Sequence, residues 1–324
     1  MREIILELKK VTKHFPVRGI RRYKQVVHAM DDVSFVLYKG EILSLVGESG
    51  SGKSTVAKVI SKIHSPTSGH ILFHNVDIYS EYTRKDRLKY RKEVQMIFQD
   101  PFSSLNPTHT IQSILMRPFL IHRLTNRKNV VNRVKETLLQ VGMDPPVQFM
   151  KKFPHELSGG QRQRVNIARV ISMNPSLLLG DEPTSMLDVS IRMIIMNMIK
   201  RFRDEENISC LYITHDLAGA RYIADRVAVM YAGMLVEIGS ADAVIQKSYH
   251  PYTQLLRSAA PQPENRFGKR TLFAKGDVPS LIDLPAGCRF HPRCPLADAE
   301  CSQAIPKMTA IKQDHFVRCL KPRI

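Results

Sequence analysis

Short apolar runs alternate with longer amphipathic segments along this chain, the pattern of an α/β fold. Strand-like runs fall at residues 4–8, 33–37, 42–46, 94–98, 176–179, 210–213, 226–230 and 234–238. Helix-like segments fall at about 53–62, 131–141, 161–172, 189–203 and 241–247. Between residues 102 and 172 the strand alternation stops and helical and polar-loop sequence takes over, as an inserted helical subdomain would. Composition changes near His250. Residues 259–287 hold many prolines and glycines with little periodicity and read as a linker or extended arm. The expected organisation is a domain over 1–258, this arm over 259–287, and a tail over 288–324 that carries four of the five cysteines.

The net charge of +18 points to an anionic neighbour, either nucleic acid or an anionic membrane face, unless the charge is plain solvated surface. Basic segments at 18–24 and 84–92 suit anionic lipid or solvation. No apolar run reaches the ~18–20 residues needed to span a bilayer. The N-terminus alternates like a strand and lacks a signal-peptide core. The expectation is a cytosolic chain whose membrane role comes through a partner.

Residues 47 to 55 read Gly-Glu-Ser-Gly-Ser-Gly-Lys-Ser-Thr, so Gly47, Gly52, Lys53 and Ser54 fill the phosphate-loop pattern G-x-x-x-x-G-K-[ST]. The glycines let backbone N–H groups face a polyphosphate, Lys53 reaches its terminal phosphates, and the Ser54 hydroxyl suits Mg²⁺. A strand-like run feeds into Gly47 and a helix starts at Lys53, whose free N–H groups add to the cradle. Residues 157 to 161 read Leu-Ser-Gly-Gly-Gln, a second glycine turn ahead of a helix-like segment. An apolar run ends in Asp181 and Glu182. Asp181 suits Mg²⁺ through its water shell, and Glu182 suits orienting or deprotonating an attacking water. His215 follows a third apolar run, where a histidine can hydrogen-bond a γ-phosphate. Gln99 ends the run at 94–98 and can reach Mg²⁺ or the lytic water; taken alone it reads as a turn amide.

With these motifs in order, residues 1–258 resemble the ATP-binding cassette (ABC) ATPases. The resemblance implies a P-loop NTPase core with an N-terminal antiparallel β part and an inserted α-helical subdomain. It implies that Phe15 stacks on adenine and that Gly47, Ser49, Gly50, Gly52, Lys53, Ser54 and Thr55 belong to the Walker A loop. Gln99 then matches the Q-loop glutamine, and Ser158, Gly159, Gly160 and Gln161 the signature. Asp181 matches the Walker B aspartate, Glu182 the catalytic glutamate, residues 185–188 the D-loop, and His215 the switch histidine. Mg²⁺ would be held by Ser54, Gln99 and Asp181. ATP would be sandwiched between two cassettes, each supplying the signature turn that the other lacks. Two positions depart from the pattern: Gly180 stands before the Walker B aspartate, and Met186 replaces a small D-loop residue.

A narrower resemblance is to the ATPase subunits of oligopeptide/dipeptide-type importers, more like the second of their paired ATPases. It rests on Phe-Gln-Asp-Pro-Phe-Ser-Ser-Leu-Asn-Pro at 98–107, Asp-Glu-Pro-Thr-Ser at 181–185, His-Pro-Tyr-Thr at 250–253 and Gly-Cys-Arg-Phe-His-Pro-Arg-Cys-Pro at 287–295. It implies uptake of a peptide or similar solute, with the chain peripheral on the cytoplasmic face of the membrane. The partners implied are a second ABC ATPase subunit, with a paralogue favoured, two transmembrane permease subunits and, indirectly, an extracytoplasmic solute-binding protein. The alternative is a soluble ABC ATPase acting on nucleic acid. The charge favours it; the single cassette and the short interval from Gly52 to Asp181 oppose it, so no nucleic-acid partner is expected.

Cys288, Cys294, Cys301 and Cys319 are separated by five, six and seventeen residues. Four thiolates close in sequence suit a tetrahedral metal or an iron–sulfur cluster, although the spacing is not a C-x-x-C zinc ribbon. The importer resemblance implies a structural [4Fe–4S] cluster, with zinc and free thiols as alternatives. Cys210, on an apolar run, reads as a core residue.

Overall fold

The N-terminal alternation folds as a long antiparallel ribbon. In the computed structural model, which describes residues 2–17, 25–83, 85–100, 103–259 and 277–322, strand Ile4–Pro16 pairs with Val26–Tyr38, Leu8 opposite Phe35 and Phe15 opposite Val27. Strand Ser68–Phe73 pairs antiparallel with the first strand, Leu8 opposite Ile71, and Val76–Asp77 completes this four-stranded sheet. The chain divides into two compact units, one formed by 1–80 with 212–324 and the other by 81–211.

In the first unit, strand Ile42–Val46 is buried along its whole length and runs parallel to Arg226–Tyr231, Val46 opposite Val229. Burial on both faces explains why it reads as a continuous apolar run rather than an alternation. Met234–Ser240 adds antiparallel to Arg226–Tyr231. The tail then adds a hairpin, Thr309–Lys312 with His315–Val317, whose second strand pairs with Met234–Ser240. Fully buried Glu237 fastens that hairpin: its carboxylate accepts the Tyr249 N–H at 2.8 Å and the His250 N–H at 3.1 Å, and meets His315 Nε2 at 2.8 Å.

In the second unit, Val94–Ile97 runs parallel to Leu177–Asp181, Ile97 opposite Gly180. The region expected to be a helical insert holds helices Ile111–Ile121, Val130–Gln140, Pro146–Lys151 and Gly159–Ile171 and no strand among its described residues. Helix Val189–Glu206 follows, and Asn207 ends it in the left-handed region at φ 56°. Cys210 is buried, as expected of a core residue, and burial pushes its thiol up to about 12.

Several elements were not expected from the sequence. Helix Asp86–Glu93 buries only Tyr90, so it has no apolar stripe to announce it. Helix Leu217–Ile223 and the tail strands are too short to establish a period. Most of the expected arm, residues 260–276, lies outside the described residues, as does the basic segment 18–24. Among the described residues no helix is long and apolar enough to cross a membrane.

Candidate functional site

In the first unit, the buried strand Ile42–Val46 runs into the loop at Gly47, and helix Lys53–Ile60 leads out of it. Two of the loop's glycines are demanded by the fold. A Cβ on Gly47 would lie 2.2 Å from the Met230 carbonyl oxygen. One on Gly52, at φ +102°, would lie 2.1 Å from the Ala29 carbonyl oxygen. Any larger residue would collide with backbone, which cannot rotate away.

Lys53 is only 4% exposed and lies inside the loop it belongs to. Its ammonium donates to the carbonyls of Gly47 at 2.8 Å and Glu48 at 2.7 Å, and to Ser51 Oγ at 3.3 Å. The Gly233 N–H donates to the Ser51 carbonyl at 2.9 Å and ties the loop to the neighbouring turn. Ser49 and Gly50 are exposed, and Ser54 and Thr55 are half-buried at the helix start. An ammonium at a helix N-terminus, where the helix dipole is positive, suits an anion.

Phe15 is half-buried, with the Lys13 ammonium 4.8 Å from its ring centroid and the His64 ring edge-on at 5.1 Å. His215 is exposed just beyond strand Ser209–Thr214. Its turn is fixed by Asp216, whose carboxylate accepts the Ala218 N–H at 2.9 Å and caps helix Leu217–Ile223. The phosphate loop, Phe15 and His215 belong to the same compact unit.

In the second unit, strand Leu177–Asp181 is buried to its last residue, so the Asp181 carboxylate stands at the tip of an apolar strand. Glu182 follows at φ +46°, a conformation that costs a non-glycine residue of order 1 kcal/mol. Gln99 Nε2 donates to Glu182 Oε2 at 3.3 Å, so these two expected catalytic side chains are in direct contact. Ser158 caps helix Gly159–Ile171: its Oγ accepts the Gln161 N–H at 3.3 Å, and Gln161 Oε1 accepts the Ser158 N–H at 3.1 Å. Gln163 Nε2 donates to the Pro183 carbonyl at 2.7 Å and fixes this helix to the segment carrying Glu182. A Cβ on Gly160 would come within 2.8 Å of the Ile191 side chain, whereas one on Gly159 would meet nothing closer than Leu187 at 3.9 Å.

Sequence reasoning missed Tyr252. Its hydroxyl accepts the Glu48 N–H at 2.9 Å, and burial raises the hydroxyl's pKa, which keeps it protonated. The stretch at 250–253 marked a resemblance, but nothing local in it pointed to a loop 204 residues away.

Residues 30–185 match the family model for the ABC transporter, and residues 236–301 match that for the oligopeptide/dipeptide transporter C-terminal region. The oligopeptide transport ATP-binding protein AppF of Bacillus subtilis (strain 168) is 43% identical over 321 residues, covering 98% of this chain and 97% of that protein. The chain belongs to the ABC transporter ATPase family. The putative oligopeptide transport ATP-binding protein YkfD of the same organism is 38% identical over 97% of this chain and 94% of its own length. Among solved structures, the dimeric post-hydrolysis state of the ATP-binding cassette MJ0796 bound to ADP and Pi superposes with a TM-score of 0.65. It is 28% identical and covers 73% of this chain and 98% of that one. The ABC cassette is thus an ATP hydrolase of α/β class, as the motifs implied.

The iron–sulfur expectation is overturned. Cys288, Cys294, Cys301 and Cys319 do line one cavity, with Phe290, His250 and Leu296, but its volume is about 20 Å³, room for one water rather than a cubane of iron and sulfide. Among the described residues no set of cysteines brings three or more ligand atoms within 4.8 Å of one another, as tetrahedral zinc at ~2.3 Å per sulfur would need. Burial raises the thiol of Cys288 and pushes that of Cys319 up to about 11. Nothing in the family models or the relatives indicates a [4Fe–4S] cluster. Cys288 and Cys294 instead pack against an apolar cluster that includes Val46, Tyr231, Tyr252 and Phe290.

His14, His28 and Asp31 do bring three metal-ligating atoms together. The Arg289 guanidinium lies on the same Asp31 carboxylate and already supplies its cation. Burial opposes ionisation of Asp31, but the bonds from Arg289 and His14 prevail and hold it below the usual carboxylate range.

Proposed function

We propose that the phosphate loop and the signature turn serve a single cycle in which ATP is held by the loop of one cassette and sealed by the signature of a second. The chain hydrolyses ATP to drive solute uptake through an ABC importer. The solute is a peptide, the cargo for which its relatives are named. Lys53 neutralises the terminal phosphates, Glu182 accepts a proton from the attacking water, Gln99 helps place that water, and His215 hydrogen-bonds the γ-phosphate. The oxygen donors Ser54, Gln99 and Asp181 form a set suited to Mg²⁺, which supplies charge neutralisation at the phosphates. Phe15 stacks on the adenine.

The observation that supports this reading best is the contrast between a glycine loop that its own unit requires and a Gly159 that its own unit does not. Exposed apolar side chains beside the signature helix support it too, with Met186 57% and Val189 75% exposed. A second cassette, a paralogue of this one, would cover them. Membership in this family implies membrane permease subunits and a solute-binding protein, so the chain works peripherally, on the cytoplasmic face. No relative favours the nucleic-acid alternative.

The test is reconstitution of the full complex in vesicles, with hydrolysis and uptake of a labelled peptide measured together. Glu182→Gln should cut both by at least ~10²-fold while trapping bound ATP. Unimpaired turnover in that variant, or stimulation by nucleic acid but not by loaded solute-binding protein, would overturn the reading.

A further inference from the structure

We propose that the cysteine-bearing tail positions the phosphate loop through Arg293, a residue outside every ATPase motif. Arg293 lies on the single turn His291–Arg293. Its guanidinium grips the Glu48 carboxylate bidentately, Nη1 donating to Oε2 at 2.8 Å and Nη2 to Oε1 at 3.1 Å. That pairing geometry is the strong form of an arginine–carboxylate contact. The arginine is fixed rather than draped on the surface. Its side chain is 9% exposed, and its guanidinium carbon lies 5.8 Å from the Tyr231 ring centroid and 6.0 Å from that of Phe290. Both rings belong to the apolar cluster that contains Val46, the last residue of the strand entering the loop.

Glu48 is therefore held at three points. Arg293 holds its carboxylate, Tyr252 holds its N–H, and its carbonyl accepts the Lys53 ammonium. A force on the carboxylate reaches Lys53 through one residue. Arg289, four residues earlier, makes a second grip. It bonds the Ala232 carbonyl and the Asp31 carboxylate, and the next residue, Gly233, accepts the Asp31 N–H at 2.8 Å and donates to Ser51.

The pairing also has an electrostatic sign. A carboxylate on a loop that receives polyphosphate repels its ligand unless it is neutralised, and Arg293 neutralises it. Removing the arginine leaves the anion; removing both groups does not. This rests on the reading that the loop binds ATP.

The experiment uses the full-length chain in its assembled complex and compares Arg293→Gln, Arg293→Lys, Glu48→Gln and the double variant Glu48→Gln/Arg293→Gln. Arg293→Gln should raise the KM for ATP about five- to tenfold with kcat within about twofold, because loop charge and position act on binding. Arg293→Lys, which keeps the charge but loses the fork, should fall between it and wild type. The double variant should bind ATP better than Arg293→Gln alone, the sign of coupling that a merely structural role does not produce. A KM for Arg293→Gln within about twofold of wild type, or a double variant worse than either single one, would overturn the proposal. The ATP reading fails separately: it falls if Lys53→Ala retains wild-type ATP affinity, whatever the arginine variants do.

Discussion

The phosphate loop and the signature turn are both glycine turns at the start of a helix, yet they answer to different demands. In the loop, the glycines at 47 and 52 are required by carbonyls of their own unit, and Lys53 is buried against the loop's own backbone. In the turn, Ser158 is exposed and a Cβ on Gly159 would make only an ordinary contact with Leu187 at 3.9 Å. The first site is complete in its own packing, whereas the second spends a glycine for which its own unit gives no steric reason. A glycine that a fold does not need points to something from outside that approaches the backbone closely.

Substitutions at the two turns should break or sharpen this contrast. Gly52→Ala should be the most damaging to folding, because a Cβ 2.1 Å from a backbone carbonyl forces the loop open; a loss of ~3 kcal/mol or more is expected in chemical denaturation. Gly159→Ala should unfold at the wild-type denaturant concentration or slightly above it, since alanine is the better helix former. Its hydrolysis in the assembled complex should nevertheless fall ~10²-fold, the scale of losing backbone stabilisation of a phosphoryl group. If Gly159→Ala were as active as wild type, the turn would be an ordinary helix start.

The loop side also carries a pH signature. Burial pushes the His250 imidazole down to about 4, from an ordinary 6.5, and its Nδ1 accepts the N–H of Tyr252, which in turn holds Glu48. The unfolded chain takes up the proton first as pH falls. The stabilisation is therefore full above about pH 6.5 and is lost progressively towards pH 4, a difference of order 2–3 kcal/mol between the ends. Denaturation at pH 7 and pH 5 should show part of this loss, and His250→Gln should flatten it. Ser158→Ala should give the smallest effect, ~1 kcal/mol, from loss of the helix cap.

Much of this was legible beforehand because it is local. Strand 42–46 was read to the residue, and the start of helix Val189–Glu206 fell where expected, since burial on both faces and apolar periodicity leave a strong local trace. The loop motif is local too. What escaped notice joins distant positions. Arg293 and Glu48 are 245 residues apart, and neither flank announces the other. The cysteines were misread for a related reason: their spacing along the chain says nothing of how their sulfurs lie. In the structure they border a narrow apolar cavity beside Phe290 and do not converge on a metal. The polar helix Asp86–Glu93 and the short tail hairpin carry too little apolar pattern to be seen.

The central claim is that ATP joins this cassette to a second one through the Gly159 turn. The most direct measurement is association of the Glu182→Gln subunit with its partner cassette, by sedimentation, with and without MgATP, in the presence and absence of Gly159→Ala. The account predicts ATP-dependent tightening of ~10-fold or more that Gly159→Ala abolishes while ATP binding to the isolated subunit persists. Association that ignores ATP, or ATP-dependent association unchanged by Gly159→Ala, would contradict it.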